Sequence, residues 1–318
     1  MGWKDLGRDY RSMAKPRAVE EVGDIYLIRP FGFLLVQLFR HTPLTPTAVS
    51  FLAVLAGWLT AWLYFESARR GVVTSLAALG ALAFLLHSAL DSADGQLARL
   101  KKMFTPLGRI VDGFCDNLAF AAIYIAIILA QHERAPEHTL AVALLAVAGG
   151  ASHSLQASLV DYQRTLYLFC VHGKTDILES QPHPERKRPA GGWFARTLEA
   201  LHGNYYRQQR FLLPSTVRLE RLLIARRERD PAGFAALGPR YESSHRPTLP
   251  FWALLASNSH KLGVVVAAFL PVAGTSFWAG LGIGWFLVYD LALNLVMAAL
   301  IAAQPRVDDP LAAELAAG

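Results

Sequence analysis

The stretch Asp91-Ser92-Ala93-Asp94-Gly95-Gln96-Leu97-Ala98-Arg99, followed by Gly108-Arg109-Ile110-Val111-Asp112-Gly113-Phe114-Cys115-Asp116, decides how this chain folds. Residues three or four apart share a helix face. Asp91, Asp94 and Ala98 therefore line one helix, and Gly108, Asp112 and Asp116 line the next, with the short connection Leu100 to Leu107 between them. Two antiparallel helices joined so briefly bring four carboxylates into one cleft, where repulsion and desolvation would protonate some of them unless cations bind. Ligation by carboxylates alone favours hard ions such as magnesium, manganese or calcium over zinc, and magnesium typically enters together with substrate phosphates. Gly95 and Gly108 let a ligand approach the backbone, and Arg99 is a forked donor suited to phosphate. Together these residues point to chemistry on a phosphate ester at a membrane face.

The membrane enters through composition. With 53% hydrophobic and 18% charged residues over 318 positions, the chain is too apolar for a soluble domain of its size. Six apolar runs, at 47–64, 72–90, 110–130, 140–160, 251–272 and 277–303, each approach the ~20 residues needed to cross a bilayer. The segment 24–40, with Ile25, Leu27, Phe31, Phe33, Leu34, Val36, Leu38 and Phe39, reads as an amphipathic interfacial helix ahead of Pro43 and Pro46. The expected fold class is an all-α membrane protein: a six-transmembrane-helix bundle with an N-terminal amphipathic interfacial helix and a cytosolic helical insertion between helices four and five. The expected divisions are a cytosolic N-terminal segment over 1–46, helices one to four with the acidic signature over 47–170, an Arg-rich cytosolic insertion over 171–250, helices five and six over 251–303, and a cytosolic tail over 304–318.

Basic residues set the orientation. Lys4, Arg8, Arg11, Lys15, Arg17, Arg29 and Arg40 precede the first run, Lys101 and Lys102 follow the second, and the insertion is rich in arginine. The positive-inside rule then places both termini and the acidic signature in the cytosol. The first 20 residues are polar and lack the apolar core of a secretory signal.

The pattern D-x-x-D-G-x-x-A-R, eight residues, then G-x-x-x-D-x-x-x-D is filled at every defined position by Asp91, Asp94, Gly95, Ala98, Arg99, Gly108, Asp112 and Asp116. In this it resembles the signature of the CDP-alcohol phosphotransferase (CDP-alcohol phosphatidyltransferase) family. The resemblance implies metal-dependent enzymes of phospholipid biosynthesis that displace CMP from a CDP-linked alcohol with a hydroxyl acceptor. It further implies that Asp91, Asp94 and Asp112 hold a pair of magnesium or manganese ions, with Asp116 contributing a ligand and serving as the general base. By the same similarity, Gly95, Ala98 and Gly108 accept the cytidine and Arg99 the diphosphate. A second family feature, P-N-x-x-T at the start of the first span, reads here Pro46-Thr47-Ala48-Val49-Ser50, so threonine stands where the family has asparagine.

For the acceptor, the polar residues of the fourth run stand out: His153, Asp161 and Arg164, with Arg164 near its cytosolic end. Basic residues in this region hold an inositol-phosphate acceptor in some relatives, so the favoured reaction transfers a phosphatidyl group from CDP-diacylglycerol to a polar alcohol, an inositol-type acceptor among the candidates. The alternative transfers phosphoethanolamine or phosphocholine from a soluble CDP-alcohol to a lipid hydroxyl. From another class, a divalent cation transporter would also carry membrane acids, but it needs a path to the opposite face, and these four cluster at one end. Within the signature no serine, cysteine or histidine is apparent as a nucleophile, Cys115 being read as a packing residue, which favours single-step transfer.

The rest of the chain carries less chemistry. The insertion is broken by Gln181-Pro182-His183-Pro184 and Arg188-Pro189, with short surface helices expected over 193–201 and 216–230; Arg218, Arg221, Arg226, Arg227 and Arg229 suit anionic headgroups or simply mark the cytosolic side. The net charge of +6 does not argue for nucleic acid, because it lies beside membrane runs without a reader fold. Cys115 and Cys170 are expected as reduced, packed thiols. Asp290, with Tyr289 and Asn294, is an acid within an apolar run and thus either functional or a helix tie. Gly280-x-x-x-Gly284 is compatible with close helix packing in a homodimer.

Overall fold

The structure, a computed structural model, describes residues 10, 16–103, 106–175, 203, 207–271 and 276–317. Among these it is all-helical and has no strand. The principal helices are α1 (Arg29–Phe39), α2 (Pro46–Arg69), α3 (Thr74–Leu100), α4 (Pro106–Arg134), α5 (Thr139–His172), α6 (Pro214–Arg229), α7 (Pro231–His245), α8 (Leu249–Ala253), α9 (Ser257–Ala268) and α10 (Trp285–Ala317). Among the described residues, five helical segments are long and apolar enough to cross a membrane: Pro46–Arg69, Thr74–Leu100, Val111–Arg134, Pro136–His172 and Gly282–Ala317.

Six spans were expected, and the difference lies at 251–272. There α8 ends at Ala253, a turn intervenes, and α9 begins with Ser257-Asn258-Ser259-His260-Lys261. Its 12 residues cover about 18 Å, well short of a ~30 Å hydrocarbon core. The expected Gly280–Gly284 pair is also placed differently, since Gly282–Gly284 forms a 3-10 turn ahead of α10 and the two glycines do not share a face of that helix.

The chain divides into two compact units, Met1–Ala151 with His260–Leu291, and Ser152–Ser259 with Ala292–Gly318. In the first unit, Thr45 caps α2 by accepting a hydrogen bond from the Ala48 amide at 3.2 Å, and Pro46 occupies the first turn, where its missing N–H costs nothing. Small residues bring the helices close. A Cβ on Gly57 would fall 2.5 Å from that of Ala119, so α2 and α4 approach at the limit a glycine allows. Val36, Val49, Ala53, Ala56, Leu90, Ala93 and Leu97 from α1, α2 and α3 form a tight core beside this contact.

The helix expected at 24–40 is present as a π-helical turn over Asp24–Ile28 that continues into α1. Arg29, Gly32 and Val36 are buried on one side, while Phe31, Leu34 and Leu38 are exposed, as suits a helix lying in the interface. Arg29 pairs with Glu20, and burial, followed by the charge of Arg99, pushes its guanidinium below the ordinary arginine range. At the end of α3, Lys102 adopts a left-handed conformation (φ 55°) and the Met103 amide donates back to the Ala98 carbonyl at 2.9 Å, closing the helix. Lys101 then donates from Nζ to the carbonyls of Thr42 and Leu44, both at 2.8 Å, fastening the entry of α2 to the exit of α3.

In the second unit, the helices of the insertion's Arg-rich sequence carry buried residues. Thr216, Val217, Leu219, Glu220 and Leu223 of α6 and Phe234 and Tyr241 of α7 are buried. Tyr162 of α5 donates to Glu220 at 2.6 Å, and Arg227 lies over the rings of Phe169 and Phe234, at 5.0 and 5.7 Å, so this arginine serves packing. The expected helix at 216–230 is observed as α6, whereas the one at 193–201 falls outside the described residues. The expected tail is helical through Ala317, passing Pro305 and Pro310, and it buries Asp308. That carboxylate accepts from Ser215 (2.9 Å), Thr216 (2.6 Å) and Gln304 (2.9 Å) and faces His245 Nε2 at 3.1 Å. Tyr241 stacks on His245 at 3.8 Å, and its burial raises its phenol well above the usual value.

Candidate metal centre

The helical spacing read from the sequence acts through α3 and α4. Asp91 and Asp94 lie one turn apart on α3, Asp112 and Asp116 one turn apart on α4, and the connection between the helices is confined to 101–105. Among the described residues, Asp91, Asp94 and Asp112 each offer an oxygen, and these oxygens all lie within 4.8 Å of one another. Asp94 is 3% exposed and accepts a short hydrogen bond from Ser50 Oγ on α2. Ser50 is the last residue of the Pro46-to-Ser50 feature, so that feature reaches the centre through its hydroxyl.

Asp116 stands outside this triad and has its own partners. His87, on α3 one turn before Asp91, places Nε2 3.2 Å from Asp116 Oδ1. Lys261 of α9 places Nζ 3.8 Å from the same oxygen and 3.9 Å from Asp91 Oδ2. Neither His87 nor Lys261 is part of the pattern read from the sequence. For His87 the available signal was its i−4 relation to Asp91; for Lys261 it was a lone lysine inside an expected span, where a charge has to find a partner.

The donor set suits a hard cation. All the triad ligands are carboxylate oxygens, and two such charges about 4 Å apart repel by roughly 4 kcal/mol at an effective dielectric near 20. Asp112 Oδ1 is buried and makes no hydrogen bond, which leaves an anionic oxygen in need of a cation. On the open side, a Cβ added to Gly95 would meet only the Arg99 guanidinium, at 3.8 Å, so the glycine leaves room beside that cation. Arg99 is close enough for its charge to act on both Asp94 and Asp112. Ala98 is buried on the same helix, and Gly108 lies in the first turn of α4.

The residues singled out for the acceptor belong to the second unit. His153 is buried, Asp161 exposed and Arg164 half-buried along α5. In the same stretch, Ser152 and the Gln156 amide both donate to Asn294 Oδ1, at 2.7 and 3.0 Å. Asp290 is fully buried in the first unit, where it accepts from the Tyr124 hydroxyl at 2.6 Å and faces His260 Nε2 at 3.0 Å. Through these contacts it ties α4, α9 and α10 together. Cys115 and Cys170 are free and buried, as expected.

Residues 43–167 match the family model for CDP-alcohol phosphatidyltransferase. No curated protein matches the chain. The matched range holds the four acids, Ser50 and His87, while Lys261 lies beyond it.

Proposed function

A CDP-alcohol phosphatidyltransferase domain, of a family that transfers phosphatidyl or phosphoalcohol groups in phospholipid synthesis and generally depends on divalent metal, occupies residues 43–167; from it we propose that the protein moves a phosphatidyl group from CDP-diacylglycerol to a polar alcohol, releasing CMP. The observation that carries the metal-dependent transfer is the convergence of Asp91, Asp94 and Asp112, with Asp112 Oδ1 buried and without a hydrogen bond, and Arg164 on α5 favours the polar acceptor.

In this mechanism Asp91, Asp94 and Asp112 would hold magnesium or manganese, with Asp116 as a further ligand, and the metal would supply charge neutralisation for the diphosphate and the departing CMP. Asp116 takes the proton from the acceptor hydroxyl. The acceptor oxygen then forms its bond to phosphorus while the bond to CMP breaks, and CMP leaves with that electron pair. Arg99 steadies the diphosphate, and Gly95, Ala98 and Gly108 give the cytidine a close approach to the backbone. Arg164, Asp161 and His153 are the candidates for the acceptor. Lys101 and Lys102 at the turn after α3 support a cytosolic placement of the site and of the segment that enters α2.

The test is CMP release by the purified protein in lipid micelles with magnesium or manganese. CDP-diacylglycerol, CDP-ethanolamine and CDP-choline are crossed with inositol, inositol phosphate, glycerol phosphate, serine and lipid hydroxyl acceptors. Release requiring CDP-diacylglycerol and a polar acceptor is expected. Release only with a soluble CDP-alcohol and a lipid hydroxyl would reverse the direction of transfer.

A further inference from the structure

Lys261 is a cation placed among groups assigned to cations. Its side chain is 10% exposed, and its ammonium sits between Asp91 and Asp116, at 3.9 and 3.8 Å. Glu21 and Asp24 from the segment preceding α1 add their negative charge to its surroundings. A buried ammonium persists only where opposite charge compensates it, and here the compensation comes from two of the four signature acids.

The four carboxylates therefore fall into two settings. Asp91, Asp94 and Asp112 converge within 4.8 Å with an orphaned oxygen at Asp112, which is a vacant demand for charge. Asp91 and Asp116 face each other across Lys261, where that demand is already met. We propose that Lys261 occupies the second cation position of the centre, so that the donor-free protein takes one divalent ion, at Asp91, Asp94 and Asp112, instead of a pair. This rests on the metal-dependent reading given above and replaces its two-ion stoichiometry for the resting protein. A second ion at Asp91 and Asp116 would have to displace the Lys261 ammonium that already stands between them. Lys261 also lies outside the matched residues 43–167, so this arrangement belongs to the chain beyond the family domain.

The experiment is a manganese titration of the full-length protein in detergent micelles without nucleotide, with bound metal counted and its spin-resonance spectrum recorded. Wild type should bind one ion per chain and give the six-line spectrum of isolated manganese. Lys261→Met, which keeps the length of the side chain and removes its charge, should shift the count from one to two and give an exchange-coupled spectrum. Asp116→Asn, which leaves the triad intact, should still bind one. Two coupled ions in wild type would overturn the proposal while sparing the metal-dependent reading, a conclusion that holds even if Lys261→Met does not fold. A folded Lys261→Met that still binds one ion would overturn it as well. No bound manganese in wild type would remove the metal-dependent reading and this inference together.

Discussion

His87 bridges two helices through a single ring: Nδ1 lies 2.9 Å from the Ala53 carbonyl oxygen on α2, and Nε2 lies 3.2 Å from Asp116 Oδ1 on α4. A carbonyl only accepts, so Nδ1 carries hydrogen and donates to it. With Nδ1 committed to Ala53, the ring presents Nε2 to the Asp116 carboxyl, so the orientations of the two groups are set together. His87→Ala should lower turnover by roughly 10- to 100-fold through a displaced Asp116, as loss of partners behind metal ligands commonly does. Steady-state CMP release checks this, and unchanged turnover in a folded variant would remove His87 from the site.

Gly95→Ala separates stability from binding. The new methyl meets only ordinary contact with Arg99, and alanine is favoured over glycine inside a helix by about 1 kcal/mol. Thermal stability should therefore hold or rise while the donor KM increases by roughly tenfold, equivalent to about 1.4 kcal/mol. An unchanged KM would show that no ligand uses the space beside Gly95.

Gly57→Ala should do the opposite. Its methyl would overlap Ala119, with the Ala119 Cα at 3.3 Å and His87 Nδ1 at 3.4 Å blocking retreat. A loss of about 1–3 kcal/mol is expected from overpacking. A lowered Tm in detergent, with the two long helices forced apart, is the readout.

Metal binding should be visible without turnover. An ion that binds only the folded state raises stability by RT ln(1 + [L]/Kd), about 2.7 kcal/mol at a hundredfold excess over Kd. Magnesium or manganese should raise the Tm of wild type and leave that of Asp112→Asn nearly unchanged, and a chelator should abolish turnover reversibly. An equal metal-induced shift in both proteins would place the ion elsewhere.

In the second unit, Asp308→Ala should cost about 3 kcal/mol or more, because it leaves Thr216, Gln304 and His245 buried without the carboxylate they share. Thermal melting again decides, and a melting point like that of wild type would show that water replaces the carboxylate at no cost.

The acidic centre was legible because its spacings of three and four are the geometry of the helix itself, and the short connection left one way to pair the two helices. Local spacing does not reach contacts distant in the chain, and this is why Ser50 was read only as the end of the Pro46-to-Ser50 feature and Lys261 went unread. The break in the expected fifth span between α8 and α9 was not legible because an apolar average over 251–272 concealed the polar run from Ser257 to Lys261. Asp308 looked like part of a polar tail, since nothing local shows that Pro305 and Pro310 continue a helix past it.

The contact of Lys261 with Asp91 and Asp116 also has a history in time. The ribosome makes the acids first, and roughly 150 residues, or about 7–30 s of synthesis at ordinary rates, pass before the lysine emerges. Until then Asp91 and Asp116 stand on α3 and α4 without the ammonium that later lies between them, and the arrival of α9 ends that interval.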